Sequence, residues 1–333
     1  MRGTRALFPT TIESGWWVGV PRTPNELNRG RVELPIIGIF GPTAMGKSAV
    51  ASAIAERIPA ELVSADSMQV YRGLPILTNQ PEEPTKLVGM WELDHEASVG
   101  EYATLAHDVV DKARASGRDP VVVGGTGLYL RAALSQLELP PAPAPGARER
   151  SESLYERLGA AEAHAMLRDR DPRAASSVHA NDRKRVVRAL ELAESGSSLV
   201  PAATKLWSED VRHPTVLFGL DLPKGLLEER IVARVYEMFD RGVEEEVRRA
   251  LAGTISATAR HVIGLREVAE LPRSEAIDAV VTRTRRYAAY QRKWMRRIPG
   301  IVSLSADRRP GEIANEILEV ARTRQRLPAH RAG

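Results

Sequence analysis

Cysteine occurs nowhere in the 333 residues, which removes disulfides, thiolate zinc centres and a cysteine nucleophile together. The seven histidines, at positions 95, 107, 164, 179, 213, 261 and 330, show no paired ligand spacing, so no structural metal is expected. No apolar run approaches the roughly 20 residues of a membrane span. The N-terminus also lacks a secretory apolar core, so no membrane association is expected and the cytoplasm is the default location. Charge of one sign is in small excess: the net charge is +4 and the pI near 9.4. That balance is mildly basic and says little about nucleic acid until the positions of the charges are considered.

Against these absences stands Gly41-Pro42-Thr43-Ala44-Met45-Gly46-Lys47-Ser48, which fits G-x-x-x-x-G-K-[ST], the phosphate-binding loop. The apolar run Leu34–Phe40 before it reads as a buried parallel strand. The alanine-rich stretch 49–58 after it reads as a helix stopped by Pro59. In that context backbone N–H groups curl around phosphate oxygens at a helix N-terminus. Lys47 reaches the outer phosphates and the Ser48 hydroxyl is the expected Mg²⁺ ligand.

A second strand, 61–66, ends in Asp66, at the sheet edge where ligands of open parallel sheets bind. By position alone Asp66 is a group aimed at the ligand, a helix cap or an outer Mg²⁺ partner. The branched run after Pro120 reads as a central strand leaving through Gly124-Gly125-Thr126. It carries no acidic pair of the kind many phosphate-loop ATPases have there, which counts against a motor or hydrolase. The two glycines allow close approach to the backbone, and Thr126 suits either a helix cap or the site.

Composition divides the chain. Residues 1–33 are an irregular extension, and 34–138 form the first part of the phosphate-loop core. Proline-rich 139–146 opens a helical insertion, 139–205. Residues 206–310 return to the core, with a strand at Thr215–Asp221, a long helix over 224–251, helical sequence around 259–267 and a basic helix over 282–297. Residues 311–333 are a tail. The expected fold is α/β, a phosphate-loop NTPase-like parallel sheet flanked by helices, with a small all-helical domain inserted. In the insertion, Lys184, Arg185 and Arg188 share a helix face opposite Val186 and Val187. In the basic helix, Arg283, Arg285, Arg286, Arg292, Lys293, Arg296 and Arg297 run without an acid. Such a field is costly unless a polyanion neutralises it. Tyr287, Tyr290 and Trp294 form one stripe of that helix.

Five motifs in one order then resemble the tRNA dimethylallyltransferases (tRNA isopentenyltransferases) over about Leu34 to Ile301. They are the Gly-Pro-Thr form of the loop, Ser64-Ala65-Asp66-Ser67 through Tyr71-Arg72-Gly73, and Val123 through Tyr129. Asn181-Asp182-Arg183 through Leu190 and the Tyr287, Gln291, Arg292, Trp294 helix complete the set. The resemblance implies transfer of a five-carbon group from dimethylallyl diphosphate to N6 of adenosine 37, next to the tRNA anticodon, with release of diphosphate. It implies Mg²⁺ as cofactor, the anticodon stem-loop as partner and a monomer. It also implies Asp66 as general base, Thr126 beside the reacting centre and Arg266 at the diphosphate. The implied tRNA contacts are Asp66, Ser67, Met68, Gln69, Thr126, Arg148, Lys184, Arg185, Val186, Val187, Arg188, Arg283, Arg286 and Arg292. Departures from the family pattern occur at Met68, at Met90–Asp94 and at Leu265. Competing readings are an isopentenyltransferase acting on free AMP, a phosphate-loop small-molecule kinase and a noncatalytic RNA-binding protein.

Overall fold

The computed structural model describes residues 33–137, 139, 146–200 and 210–326. The extension expected over 1–33 lies, apart from Glu33, outside these residues, as do most of the proline-rich stretch and the end of the tail.

Five parallel strands make the sheet: β1 Ile36–Phe40, β2 Ala60–Ser64, β3 Asp119–Gly124, β4 Thr215–Asp221 and β5 Val302–Ser305, in the order β2-β3-β1-β4-β5. β1 and β3 are buried at every residue, as strands covered on both faces by helices must be. β5 was not expected from sequence. Only Leu304 of its four residues is buried, so this edge strand carries too little apolar pattern to stand out.

The helices are α1 Lys47–Ala55, α2 Val99–Ala115, α3 Gly127–Leu134, α4 Ala147–Leu158, α5 Ala160–Arg170, α6 Pro172–Ser177, α7 Arg183–Glu194, α8 Lys224–Asp240, α9 Val243–Leu251, α10 Leu265–Glu270, α11 Arg273–Met295 and α12 Pro310–Arg326. The single helix expected over 224–251 is two, because Arg241-Gly242 breaks it into α8 and α9. The basic helix begins nine residues earlier than expected, at Arg273, where Pro272 supplies the turn before it. Helices α4 to α7 close around their own apolar centre of Ala163, Leu167, Ala174, Val186 and Leu190. Asp171 and Asp182 cap α6 and α7 by accepting the N–H groups of Ala174 and Arg185. Among the described residues no helix is long and apolar enough to cross a membrane.

Chain order places the chemistry. β1 lies between β3 and β4, so the connection after β1 runs over β3 to β2, and the chain later crosses to the other side. The phosphate loop, Asp66 and Thr126 follow the ends of β1, β2 and β3 and therefore gather at one edge of the sheet.

Candidate active site

A cavity of about 520 Å³ opens over that edge, within the range of small-molecule sites. Residues 43–48 of the loop line it, together with Asp66, Met68, Gln69, Leu77, Arg234, Tyr287 and Gln291. Ala44, at φ 63°, has the left-handed backbone that turns successive N–H groups the same way. Lys47 donates to the carbonyl of Pro42 at 2.8 Å. Burial pulls its ammonium down to about 8, opposed by the Asp66 carboxylate and reinforced by the Arg234 guanidinium.

Asp66 is half-buried and accepts the N–H of Met68 on Oδ1 at 2.9 Å. Its other oxygen has no hydrogen-bond partner among the described residues, and the residue lines the cavity together with Lys47 and Arg234. Thr126 occupies the N-cap position of α3 but does not cap it. Its hydroxyl accepts the N–H of Ser67 at 3.1 Å and lies 3.3 Å from the hydroxyl of Tyr287. Capping therefore does not explain this threonine. Burial, followed by the Asp66 charge, holds the Tyr287 phenol protonated well above its usual range.

Gly124 and Gly125 serve the protein rather than a ligand. A side chain at Gly124 would collide with the backbone of Ala65, and one at Gly125 with the amide of Gln291. That amide is buried and joins the two halves of the site. Its oxygen accepts the N–H of Thr43 at 2.9 Å, and its nitrogen donates to the carbonyl of Gly125 at 2.8 Å. Gln291 belongs to a motif noted in the sequence, yet nothing there marks it as the link between loop and β3.

The basic residue at the loop is Arg234, on α8, which sequence reasoning missed. It donates to the hydroxyl of Thr43, and burial lowers the pKa of its guanidinium. Arg266, expected at the diphosphate, is elsewhere: it is exposed, paired with Glu270 at 2.8 Å, and lines a separate surface hollow beside Arg260. The reason is local. Gly264 starts α10 with its Leu265 face buried, which turns the next side chain to solvent.

The expected RNA contacts divide. Lys184, Arg185 and Arg286 are exposed, and Arg148 lies between Glu152 and Glu96. Ser67, Met68 and Gln69 are half-buried around the cavity mouth, with Gln69 accepting from the Ser64 hydroxyl at 2.9 Å. Val186 and Val187 are corrected: at 0% and 3% exposure they are packed inside and have no side chain to offer RNA. Arg188, Arg283 and Arg292 are ion-paired with Glu191, Glu267 and Asp221 at 2.8, 2.6 and 2.7 Å, so an RNA contact there would compete with these acids. The basic helix is thus partly neutralised by acids that lie far away in sequence. Arg285, Arg286, Lys293 and Arg296 are exposed, as is Tyr290, and make no ion pair among the described residues.

Comparison with known proteins agrees with this geometry. The family profile described as IPP transferase matches residues 69–298, and one described as isopentenyl transferase matches 34–89. The tRNA dimethylallyltransferase of Thermobifida fusca is 38% identical over 290 residues, 82% of this chain and 90% of that protein. That of Streptomyces coelicolor is 39% identical over 283 residues, 81% of this chain and 90% of its own. The crystal structure of a tRNA isopentenylpyrophosphate transferase from Bacillus halodurans superposes with a TM-score of 0.63 at 28% identity, covering 90% of this chain and all of that one. A eukaryotic dimethylallyltransferase acting on tRNA gives a TM-score of 0.71 at 24% identity, a likeness of fold, over 90% of this chain and 82% of that one.

Proposed function

The chain belongs to the IPP transferase family, and from that premise we propose that it is a tRNA dimethylallyltransferase, moving a dimethylallyl group from dimethylallyl diphosphate to N6 of adenosine 37 beside the anticodon. The observation that carries this reading is the free oxygen of Asp66, set in the same cavity as the phosphate loop, Lys47 and Arg234. A leaving group that departs as an anion and an amine that loses a proton need those two kinds of group side by side.

The diphosphate lies in the loop, where Lys47 and Arg234 bind its oxygens and stabilise the charge that grows as the C1–O bond breaks. The exocyclic nitrogen forms the new bond to C1, and its proton passes to the free oxygen of Asp66. The hydroxyls of Thr126 and Tyr287, 3.3 Å apart, border the reacting centre and orient the two substrates. Mg²⁺ fits the donors present. Ser48 lines the cavity, and among the described residues its hydroxyl has no hydrogen-bond partner and no three His, Cys, Asp or Glu side chains gather into a cage. Ser48 would then be the protein ligand, with diphosphate oxygens completing the shell. Such an ion supplies further neutralisation of the leaving group.

The adenine must leave its stack to reach this depth. The exposed cations of α7 and α11 suit the backbone of an RNA stem-loop. The test is nucleoside mass spectrometry of tRNA incubated with the protein, Mg²⁺ and dimethylallyl diphosphate. A dimethylallyl mass on adenosine is expected. Transfer to free AMP but not tRNA, or phosphorylation from ATP, would replace this reading with one of its rivals.

A prediction separates the two arginines. Arg234→Ala should lower kcat/KM for dimethylallyl diphosphate by about 10²-fold, the loss typical of one aimed electrostatic contact. Arg266→Ala should change the KM for that donor less than about twofold, as an exposed ion pair is worth little. Steady-state kinetics with the donor varied at saturating tRNA gives both values. The reverse order would return the diphosphate contact to Arg266.

A further inference from the structure

Helix α11 presents Val280, Thr284, Tyr287 and Gln291 to the cavity as one stripe. Gln291 touches the phosphate loop and Tyr287 touches Thr126. Val280 lies seven residues before Tyr287, about 10 Å further along the helix axis at 1.5 Å per residue. The stripe therefore runs from the leaving-group end, past the reacting centre, to an end with no phosphate ligand.

Towards that end three apolar side chains, Leu77, Ile263 and Val280, line the cavity beside Thr78, Asn79 and Thr284. Leu77 is seated against bare backbone. A Cβ on Gly264 would stand 2.7 Å from Leu77 Cδ1 and 3.5 Å from Val280 Cγ2, so only glycine leaves Leu77 this position. The φ of 93° at Gly264 is also one that glycine adopts freely.

Both sides of this wall are pinned by carboxylates. Glu246, on α9 and only 3% exposed, accepts the N–H groups of Ile76 and Leu77 at 2.8 and 2.7 Å. Glu267 accepts the N–H of Gly264 at 3.2 Å and is itself held by Arg283. The strap bearing Leu77 is tied at its other end as well, by Gln69 donating to the carbonyl of Asn79 at 2.9 Å. Fixed in this way, the strap cannot carry Leu77 aside, and the side chain meets Gly264 and Val280 behind it.

We propose that Leu77, wedged against Gly264 and Val280 on a strap held by Glu246, is the backstop that limits the transferred chain to a single five-carbon unit. The inference rests on the prenyl-transfer reading above and adds to it the residue that measures the donor. Glu246 is a positioning residue. It touches no substrate and acts through the backbone of Leu77. A ten-carbon donor, geranyl diphosphate, presents the same phosphates and the same allylic carbon, so only the far end of the cavity can refuse it. The reaction balances identically for both donors: N6 bonds to C1, the C1–O bond breaks, the proton leaves the amine and diphosphate departs.

The experiment gives the enzyme tRNA with equal dimethylallyl and geranyl diphosphate and counts both products by nucleoside mass spectrometry. Wild type should yield the dimethylallyl product almost exclusively, with a measurable trace of geranyl product as the baseline. Leu77→Ala with Val280→Ala removes as many carbons as one further isoprene unit adds, and should raise the geranyl fraction at least about tenfold. Glu246→Gln keeps the shape but leaves one oxygen to accept where two N–H groups are now served; it should raise the geranyl fraction less and increase the KM for dimethylallyl diphosphate with little change in kcat. Val280→Ala alone leaves the strap intact, so it carries the test if the double variant does not fold. Its geranyl fraction should rise several-fold. Variants that transfer dimethylallyl normally with an unchanged product ratio would overturn the backstop. A wild type that transfers neither group would instead overturn the prenyl-transfer reading itself.

Discussion

Asp66→Asn should bind the anticodon stem-loop within a few-fold of wild type and lose about 10²–10⁴ in single-turnover transfer, the range for a positioned base. The substitution keeps the local fold, because an asparagine oxygen can still accept the N–H of Met68 that Asp66 accepts at 2.9 Å. What disappears is the carboxylate oxygen that Met68 does not engage, and with it the destination of the amine's proton. Arg286→Ala supplies the contrast, being an exposed cation outside the cavity. It should weaken tRNA binding and reduce the slope of log K against log salt by roughly 0.7–0.9, one phosphate contact. Transfer from its saturated complex should be nearly unchanged. The two variants are compared by tRNA affinity across a salt series and by single-turnover transfer. Full-speed transfer by bound Asp66→Asn would make Asp66 a binding residue and leave the base unassigned.

Lys47→Ala should lower transfer by about 10²–10³, the usual cost of removing one preorganised charge from a leaving group. Its titration gives a second, independent signature. Burial depresses the Lys47 pKa to about 8, so the free enzyme holds a charged lysine below that pH and loses the charge as pH rises through it. Because kcat/KM reports the free enzyme, kcat/KM for dimethylallyl diphosphate should fall as pH is raised through about 8. Bound diphosphate favours the charged form, so kcat should hold to higher pH. The Lys47→Ala variant should lack the alkaline limb of kcat/KM. A wild-type profile flat from pH 7 to 9.5, or a variant that keeps the limb, would show that another group controls donor capture.

The parts of the site that are legible in the sequence are those built from contiguous residues. The phosphate loop announces itself because glycine spacing, lysine and serine fall within eight positions. Asp66 and Thr126 stand out by their places at strand ends, though position alone leaves their roles open, and β1, β3 and β4 show as apolar runs. What the sequence conceals is made by contacts between distant elements. Arg234 is one of three cations on an amphipathic helix until α8 packs beside the loop. Arg292 looks like a free charge until Asp221, at the end of β4, lies against it. Val186 and Val187 sit in a basic motif, but their exposure is decided by the packing of α7. Arg266 shows the opposite error, a motif position whose side chain points away because of how α10 begins.

The place of β1 in the sheet bears on how the molecule comes into being. This strand, apolar at every residue but Gly38, is made early, yet one of its two neighbours is β4, from the far side of the insertion. At about 5–20 residues per second of synthesis, the ribosome leaves that edge open on the order of ten seconds before its partner emerges. The amide of Gln291 arrives later still, so the phosphate loop is braced only when most of the chain is out. A nascent or prematurely terminated chain thus shows a sticky strand and an unbraced loop together. Ligand capture by a braced loop therefore waits until residue 291 has been made.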